Sequence, residues 1–296
     1  MQSGNLKSYL NLHLIVFIWG FTAVLGDLIS IGEAPLVWYR MGLAIVFLLL
    51  FAGVARVNLS LPPKAIGKLV LVGFLIALHW LFFFKAIKVS NVSVTLAMFS
   101  MGAFFAAILE PIFYKRKMLW YEVFFGLIII AGLFTIMQVE IHFLAGILYA
   151  LLSVFLGVMF TIFNGKLIQE YNPTAIAVYE FAAGFAMISI YLAYEDLFQA
   201  SFFRLSAKDW TYLVLLASVC TAYAFTASVH VMRRLTPYTV MLTTNLEPVY
   251  GIILAYFIIG DDEKMSLPFY IGSGVILATV IANGVIKHYF EKVVSG

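Results

Sequence analysis

The chain has 296 residues, of which 64% are hydrophobic and only 11% are charged, and its mean hydropathy is +1.02. Soluble domains carry about 25% charged residues, so this composition excludes a protein whose whole surface faces water. The net charge is a modest +3, and the charges cluster between apolar runs long enough to cross a ~30 Å hydrocarbon core as α-helices. The alternating pattern of membrane β-strands is absent, so we expect an all-α polytopic membrane protein.

Ten apolar runs follow one another along the chain and predict ten transmembrane helices. Their connections are mostly short, which leaves no room for a soluble catalytic domain. The single cysteine, Cys220, lies inside a span and is interpreted as a packing residue. The predicted spans are 9–29, 34–54, 66–86, 91–113, 119–138, 143–165, 173–194, 210–231, 237–259 and 267–287.

The basic residues predict the orientation of these spans. With the N-terminus in the cytoplasm, twelve of the 18 Lys and Arg residues fall on the cytoplasmic side. Cytoplasmic loops of membrane proteins carry such an excess of Lys and Arg. We therefore expect a multi-pass protein of the cell (inner or plasma) membrane with both termini in the cytoplasm.

The two halves of the chain show a weak internal repeat. The segment that begins at Ala77 matches the segment that begins at Ala222, without gaps, in aromatic residues, a basic turn and a Ser/Thr-rich helix start. The second and seventh spans also align, with Arg40 over Glu180. Because each half has five spans, its partner must be inverted across the membrane. We predict two inverted five-helix repeats, 9–138 and 143–287, with a substrate site near the midplane between them.

Three stretches carry a resemblance to a known family. They are IWGFTAVLGDLI in the first span, YRMGLA in the second, and LEPVYGIILAYFIIGDDEKM from Leu246 onward. With these stretches the chain resembles the drug/metabolite transporter (DMT) superfamily, and within it the EamA-type ten-helix permeases. Pro248 and the turn at Gly260 fit the pattern of that family, whereas the first repeat has Ala103 at the aligned proline position. The resemblance implies transport of a small metabolite and does not define which one.

Charged residues inside the predicted spans are the strongest candidates for a functional site. Such residues are costly in hydrocarbon and usually face a cavity or a partner. Arg40 and Glu180 either pair across the repeat interface or line different halves of a pathway. A plain buried ion pair is the structural alternative. Arg40 also suits a substrate carboxylate, because its planar guanidinium forms paired hydrogen bonds.

Glu247 lies near the middle of the ninth span, next to Pro248. The proline removes a backbone donor, so the carbonyl of Thr244 loses its helical partner. Asn245 lies at similar depth. We interpret this segment as a substrate or proton site, with a structural carboxylate as the alternative. His79, in the third span, is a second candidate for proton coupling, although a lone membrane histidine is more often a packed hydrogen-bonding residue.

Aromatic and semi-polar side chains lie deep in several spans. They pack between helices or, as a set, line an amphipathic cavity. The residues predicted to contribute to substrate binding in this way are Trp19, Tyr39, Tyr149, Tyr179 and Tyr223, together with Asn164.

These observations predict a secondary transporter that works by alternating access. The alternative is an intramembrane enzyme acting on a lipid or a lipid-linked substrate, with Glu247 and His79 as its candidate pair. We find no phosphate-binding, nucleophile or zinc motif, and expect no cofactor, no metal and no nucleic-acid partner. The expected partners are a small-molecule substrate, the lipid bilayer and protons as a candidate coupling ion. Monomer and homodimer both remain open.

Overall fold

The computed structural model describes residues 3–115 and 120–295, and the regular secondary structure of the described part is helical. The first repeat contains α1 (Ser3–Leu28), α2 (Glu33–Val54), α3 (Pro63–Val89), α4a (Val92–Phe99), α4b (Gly102–Tyr114) and α5 (Trp120–Val139). The second contains α6 (Leu144–Leu167), α7 (Pro173–Tyr194), α8a (Ala207–Ala217), a π-helical turn (Ser218–Tyr223), α8b (Ala224–Val231), α9a (Pro237–Thr244), α9b (Glu247–Ile258) and α10 (Leu267–Ser295).

The predicted fold of ten transmembrane helices is confirmed. In the described part of the chain, eight spans are long and apolar enough to cross a membrane when α4, α8 and α9 are each counted as one span. The shorter apolar stretches Phe124–Ile136 in α5 and Leu267–Thr279 in α10 complete the set.

Large apolar side chains cover the outside of the bundle. Leu50 is 62% exposed, Ile190 72% and Phe257 78%. Such an apolar surface is unfavourable in water, whereas a surface that faces lipid hydrocarbon has to be apolar. Polar residues such as Arg40 and Glu180 are instead buried between the helices.

The packing of the helices follows the two-repeat symmetry. Helix α3 packs against α6, and its counterpart α8b packs against α1. The broken helices also cross in matching fashion, since α4a contacts α9b while α9a contacts α4b. Each repeat therefore places both of its half-helices against the half-helices of the other repeat, so the two breaks face each other between the repeats.

The breaks fall at equivalent positions in the two repeats. Asn91 caps α4a by accepting from the amide of Val94, and Thr236 caps α9a by accepting from Thr239. After eight helical residues both helices are interrupted, at 100–101 and at 245–246, where backbone bonds span three residues instead of four. Pro248 explains the second break. The first break forms without a proline, with Gly102 as the first residue of α4b, so packing between the repeats contributes to it.

Hydrogen bonds and a salt bridge connect the loops at one of the two membrane faces. We call the face where α1 begins and α10 ends the terminal face, and the other the distal face. On the distal face, both carboxylate oxygens of Asp209 accept hydrogen bonds from Ser30, each at 2.8 Å. Lys85 forms a 2.7 Å salt bridge with Glu33 on the same face. These contacts join the α1–α2 turn to both α3 and α8a.

Glu263 ties the two repeats together on the distal face. Its carboxylate accepts from the amides of Val92 and Ser93, at 2.9 and 2.8 Å, and from the Ser93 hydroxyl at 2.7 Å. A carboxylate at a helix N-terminus satisfies free amides and complements the helix dipole. The turn between α9b and α10 thus acts as an external cap for α4a. Among the described residues of the terminal face, Lys166 donates to the carbonyl of Phe113.

Candidate substrate cavity

A cavity of about 80 Å³ lies at the centre of the bundle, where the two repeats meet. It extends from the level of Arg40 and Phe83 toward the terminal face, where Met232 and Val240 line it. Its wall is largely aromatic and carries a few polar groups. The lining residues used below are Trp19, Arg40, His79, Trp80, Phe160, Phe225, Thr244 and Glu247.

Arg40 is held in the cavity wall by two contacts. Its Nε donates to the Thr221 hydroxyl at 2.7 Å, and its guanidinium lies 3.8 Å from the centroid of the Trp80 ring. The residue is 2% exposed, and Nη1 has no hydrogen-bond partner among the described residues. A buried charged donor without a partner is costly. The guanidinium is therefore positioned, but not saturated, by the protein.

The π-helical turn in the eighth span provides the partner of Arg40. Within this turn the Thr221 hydroxyl donates to the carbonyl of Leu216, five residues earlier, at 2.7 Å. That bond fixes the hydroxyl so that its oxygen accepts from Arg40. Single π-turns inside α-helices are rare and occur frequently at functional sites.

Glu247 is the acidic residue of the cavity. It is the first residue of α9b, it is 5% exposed, and it lines the same space as Arg40. The two side chains attract each other electrostatically but form no direct salt bridge. Among the described residues Glu247 has no hydrogen-bond partner. A cation and an anion thus face one cavity without neutralising each other by contact.

The position of His79 fixes which of its ring nitrogens carries a proton. Its Nδ1 lies 2.7 Å from the carbonyl oxygen of Ser153. A carbonyl oxygen only accepts, so Nδ1 must carry the hydrogen and donate it. In the neutral ring Nε2 is then an acceptor, and it has no partner among the described residues. His79 therefore presents a hydrogen-bond acceptor to a cavity that it lines.

The structure brings together five of the residues predicted from sequence. They come from four different spans and line one cavity: Trp19, Arg40, His79, Thr244 and Glu247.

Arg40 and Glu180 do not form the pair considered as one alternative. Arg40 binds Thr221, whereas Glu180 accepts from Asn164 at 3.3 Å, in a buried position outside the cavity lining. The repeat is inverted, so aligned positions fall at different depths. Arg40 lies seven residues from the distal end of α2, and Glu180 lies seven from the terminal end of α7.

The predicted tyrosines lie away from the cavity. Tyr39 stacks on Phe202 near the distal face and donates to its carbonyl at 3.1 Å. Tyr149 stacks on Phe82. Tyr179 is half-buried and packs at the edge of the core.

Tyr223 and Asn245 border separate cavities. Tyr223 is 47% exposed, and with His230 it lines a groove between α1, α2 and α8b. Asn245 borders a shallow space with His13 and Leu242. Helical periodicity explains both positions, because adjacent residues of a helix point about 100° apart.

The residues predicted to bind substrate do not include four residues that shape the cavity. Thr221 and Ser153 act only through contacts with distant spans, and no local pattern predicts these contacts. Trp80 and Phe225 were detectable, because they occupy matching positions in the aligned segments of the two repeats. Both line the cavity.

The fold and the cavity define a class of protein, namely a polytopic membrane protein with the architecture of a two-repeat transporter. The model of the EamA-like transporter family matches the chain twice, over residues 6–138 and 144–284. The chain belongs to this family. Members of the family are transporters, which supports a permease role without enzymatic activity.

The comparison with solved structures agrees on the fold. One crystal structure, described only as that of a protein, superposes with a TM-score of 0.69 over 93% of this chain and 95% of its own. The two sequences are 14% identical, so the likeness concerns the fold alone. None of the curated proteins compared matches the sequence. Nothing in these comparisons supports the intramembrane-enzyme alternative.

Proposed function

We propose that this protein is a secondary transporter of a zwitterionic small organic metabolite with an apolar part, such as a neutral amino acid. The observation that supports this proposal is the pair of opposite charges, Arg40 and Glu247, on one aromatic cavity. They attract each other but form no salt bridge. A zwitterion supplies one partner to each charge.

Each polar group of the cavity has a defined part in binding. Arg40 binds the substrate carboxylate, because its guanidinium is positioned by Thr221 and Trp80 and keeps Nη1 free. Glu247 and the acceptor nitrogen of His79 bind the ammonium group. Trp19, Phe160 and Phe225 contact the apolar part of the substrate.

Transport proceeds by alternating access between the two repeats. The distal loops are tied by Asp209 and Glu263, while the cavity extends toward the terminal face. With both termini in the cytoplasm, this conformation faces inward. A volume of about 80 Å³ is below the ~300–1,000 Å³ of typical ligand pockets, so the cavity must widen to admit substrate.

In this proposal, Glu247 is the residue at which proton binding and substrate binding are coupled. A carboxylate that binds the substrate ammonium cannot carry a proton at the same time, so the two compete for one site. Competition of this kind exchanges substrate for protons across the membrane. His79 contributes through Nε2 while Nδ1 stays bonded to Ser153.

The test uses purified protein in liposomes and radiolabelled leucine and phenylalanine, each tested singly. We expect counterflow of at least one of them, and accumulation when a pH gradient is imposed. Glu247→Gln mimics the protonated acid, which in this proposal cannot bind the substrate ammonium, so it should lower counterflow and lose gradient-driven accumulation. Full accumulation by this variant would exclude Glu247 as the proton carrier. Absence of counterflow of both leucine and phenylalanine by the parent protein would refute the proposed substrate class.

A further inference from the structure

We infer that Glu180 and Asn164 form a second proton-binding site, outside the substrate cavity, which holds a proton in this conformation. This inference extends the proposed function from one proton site to two. Glu180 on α7 is fully buried, and Asn164 on α6 is fully buried beside it. The hydrogen bond from Asn164 Nδ2 to Glu180 Oε2, at 3.3 Å, joins them.

Each side chain has one unpaired oxygen, and these two oxygens can form a hydrogen bond with each other only if one of them carries a proton. Glu180 Oε1 and Asn164 Oδ1 are both buried, and neither has a hydrogen-bond partner among the described residues. If Glu180 were ionised, both of these acceptors would stay unsatisfied. A proton on Oε1 turns that oxygen into a donor toward Oδ1. The acid and the amide then form two parallel hydrogen bonds, and one proton satisfies both groups.

Among the described residues, no charged group of the surrounding helices forms a hydrogen bond or salt bridge with Glu180, and Lys64 and Lys68 of α3 are exposed at the terminal face. Arg40 of α2 binds Thr221, and His79 of α3 binds Ser153. On α6, Lys166 binds the carbonyl of Phe113 at the terminal face. His230 of α8b lines the lateral groove with Tyr223. A fully buried carboxylate without a counter-charge is unstable in a membrane interior, whereas the neutral acid is tolerated.

The Glu180–Asn164 site lies next to residues that line the substrate cavity or pack against its lining. Asn164 lies one helical turn beyond Thr161, which lines the terminal end of the cavity. The Phe181 ring, next to Glu180, packs against the rings of Trp80 and Phe225, with centroid distances of 5.3 and 4.8 Å. Both of these rings line the cavity. Separation of α6 from α7 would break the acid–amide pair and admit water to Glu180. The proton is released at that step, while substrate remains bound to different residues.

Infrared spectroscopy of the purified protein tests the protonation directly. At neutral pH we expect the carbonyl stretch of a protonated carboxylic acid in the parent protein and its loss in Glu180→Gln. Asn164→Leu should shift the band to higher frequency, because the acid loses its hydrogen bonds to the amide. An identical band in parent and Glu180→Gln would overturn the assignment, as would an Asn164→Leu band at the parent frequency.

Liposome transport of the labelled amino acid tests the coupling. Glu180→Gln should keep counterflow within about twofold of the parent and lower pH-driven accumulation at least tenfold. Unchanged accumulation would overturn the coupling role. Glu180→Asp, which keeps an acid, should retain more accumulation than Glu180→Gln, and the reverse order would count against the proposal. If the parent transports no zwitterion, the proposed function fails, while the infrared bands still decide whether Glu180 binds a proton.

Discussion

At the scale of single residues, the cavity is shaped by contacts that fix polar groups without satisfying them completely. Arg40 is fixed through Nε and Trp80, and His79 is fixed through Nδ1. In both cases one nitrogen binds the protein and another has no partner among the described residues, which leaves it available in the proposed mechanism. This division explains why the sequence identifies these residues as candidates and does not reveal their partners.

The first prediction concerns independence of Arg40 and Glu180. They share no partner, so the effects of Arg40→Gln and Glu180→Gln on the free energy of unfolding should add within about 0.5 kcal/mol. Chemical denaturation of the two single variants and the double variant in detergent measures this. Recovery of stability in the double variant, as for a broken ion pair, would contradict the separate sites described above.

The second prediction concerns Gly157, against which the His79 ring packs. A Cβ at this position would lie 3.2 Å from His79 Cε1 and 3.3 Å from Nδ1. Gly157→Ala should displace the ring, weaken its 2.7 Å bond to Ser153 and destabilise the protein by about 1 kcal/mol. Substrate affinity should fall about tenfold, equivalent to ~1.4 kcal/mol.

Gly67→Ala is the matched control, because a Cβ at Gly67, also within a helix, meets nothing within 4 Å. The control should be neutral or slightly stabilising, since alanine is the better helix former. Thermal unfolding and equilibrium binding of labelled leucine distinguish the two variants. Equal behaviour of both would show that the His79 ring does not depend on Gly157.

At the scale of helices, close contact between α1 and α9b determines where Glu247 lies. A Cβ on Gly251 would lie 2.1 Å from Leu96 Cδ1 and 3.0 Å from the backbone oxygen of Gly20. The helices approach so closely because both positions are glycine. Glu247, one turn before Gly251, is thereby held against the first span.

The third prediction follows from this contact. Gly251→Ala should push α9b away from α1 and destabilise the protein by about 1–3 kcal/mol, because the Gly20 backbone cannot yield as a side chain can. Gly274→Ala in α10 is the control, with open space around its Cβ. Melting temperatures in one detergent provide the comparison. An unchanged melting temperature for Gly251→Ala would mean that the helices separate at no cost.

The helices also show how far sequence reasoning extends. Apolar length predicts the ten spans, and the aligned segments predict equivalent half-helices. The break at 100–101 was not predictable from its own residues, because the first repeat has Ala103 where the second has Pro248. Likewise the partners of Arg40 and Glu180 depend on which helices pack together, and that information is distributed over the whole chain.

At the scale of the whole molecule, the distal contacts of Asp209 and Glu263 connect the two repeats on one side of the cavity. Asp209 and Glu263 belong to the second repeat, and both accept hydrogen bonds from the first. Under the proposed alternating access, a distal-open state must break these bonds. Their strength therefore sets part of the free-energy difference between the two conformations.

The fourth prediction concerns a variant that weakens these distal contacts. Glu263→Gln removes the charge that caps α4a and should raise the population of the distal-open state several-fold, as expected for a loss of about 1 kcal/mol. The reporter is Phe99→Cys in a Cys220→Ala background, labelled with a membrane-impermeant maleimide from the distal side. Faster labelling is expected with Glu263→Gln. Lys264→Gln, which removes the exposed charge next to Glu263, is the control and should leave the rate unchanged.

The fifth prediction is that both termini lie in the cytoplasm, because basic residues concentrate on the terminal face. A C-terminal fluorescent protein should mature and emit, whereas alkaline phosphatase fused at the same point should be inactive. An active phosphatase fusion would reverse the orientation and make the described conformation outward-facing.

The π-helical turn at Ser218–Tyr223 makes the eighth span sensitive to its residue count. Each residue added to or removed from a helix rotates everything beyond it by about 100°. Deletion of Val219 would allow a regular α-helix and would also rotate α8a relative to α8b. The Thr221 hydroxyl could then no longer bind Arg40 while the Phe225 ring still lines the cavity. In this span, a deletion that straightens the helix should be more harmful than most substitutions, because it changes the phase of the helix rather than a single side chain.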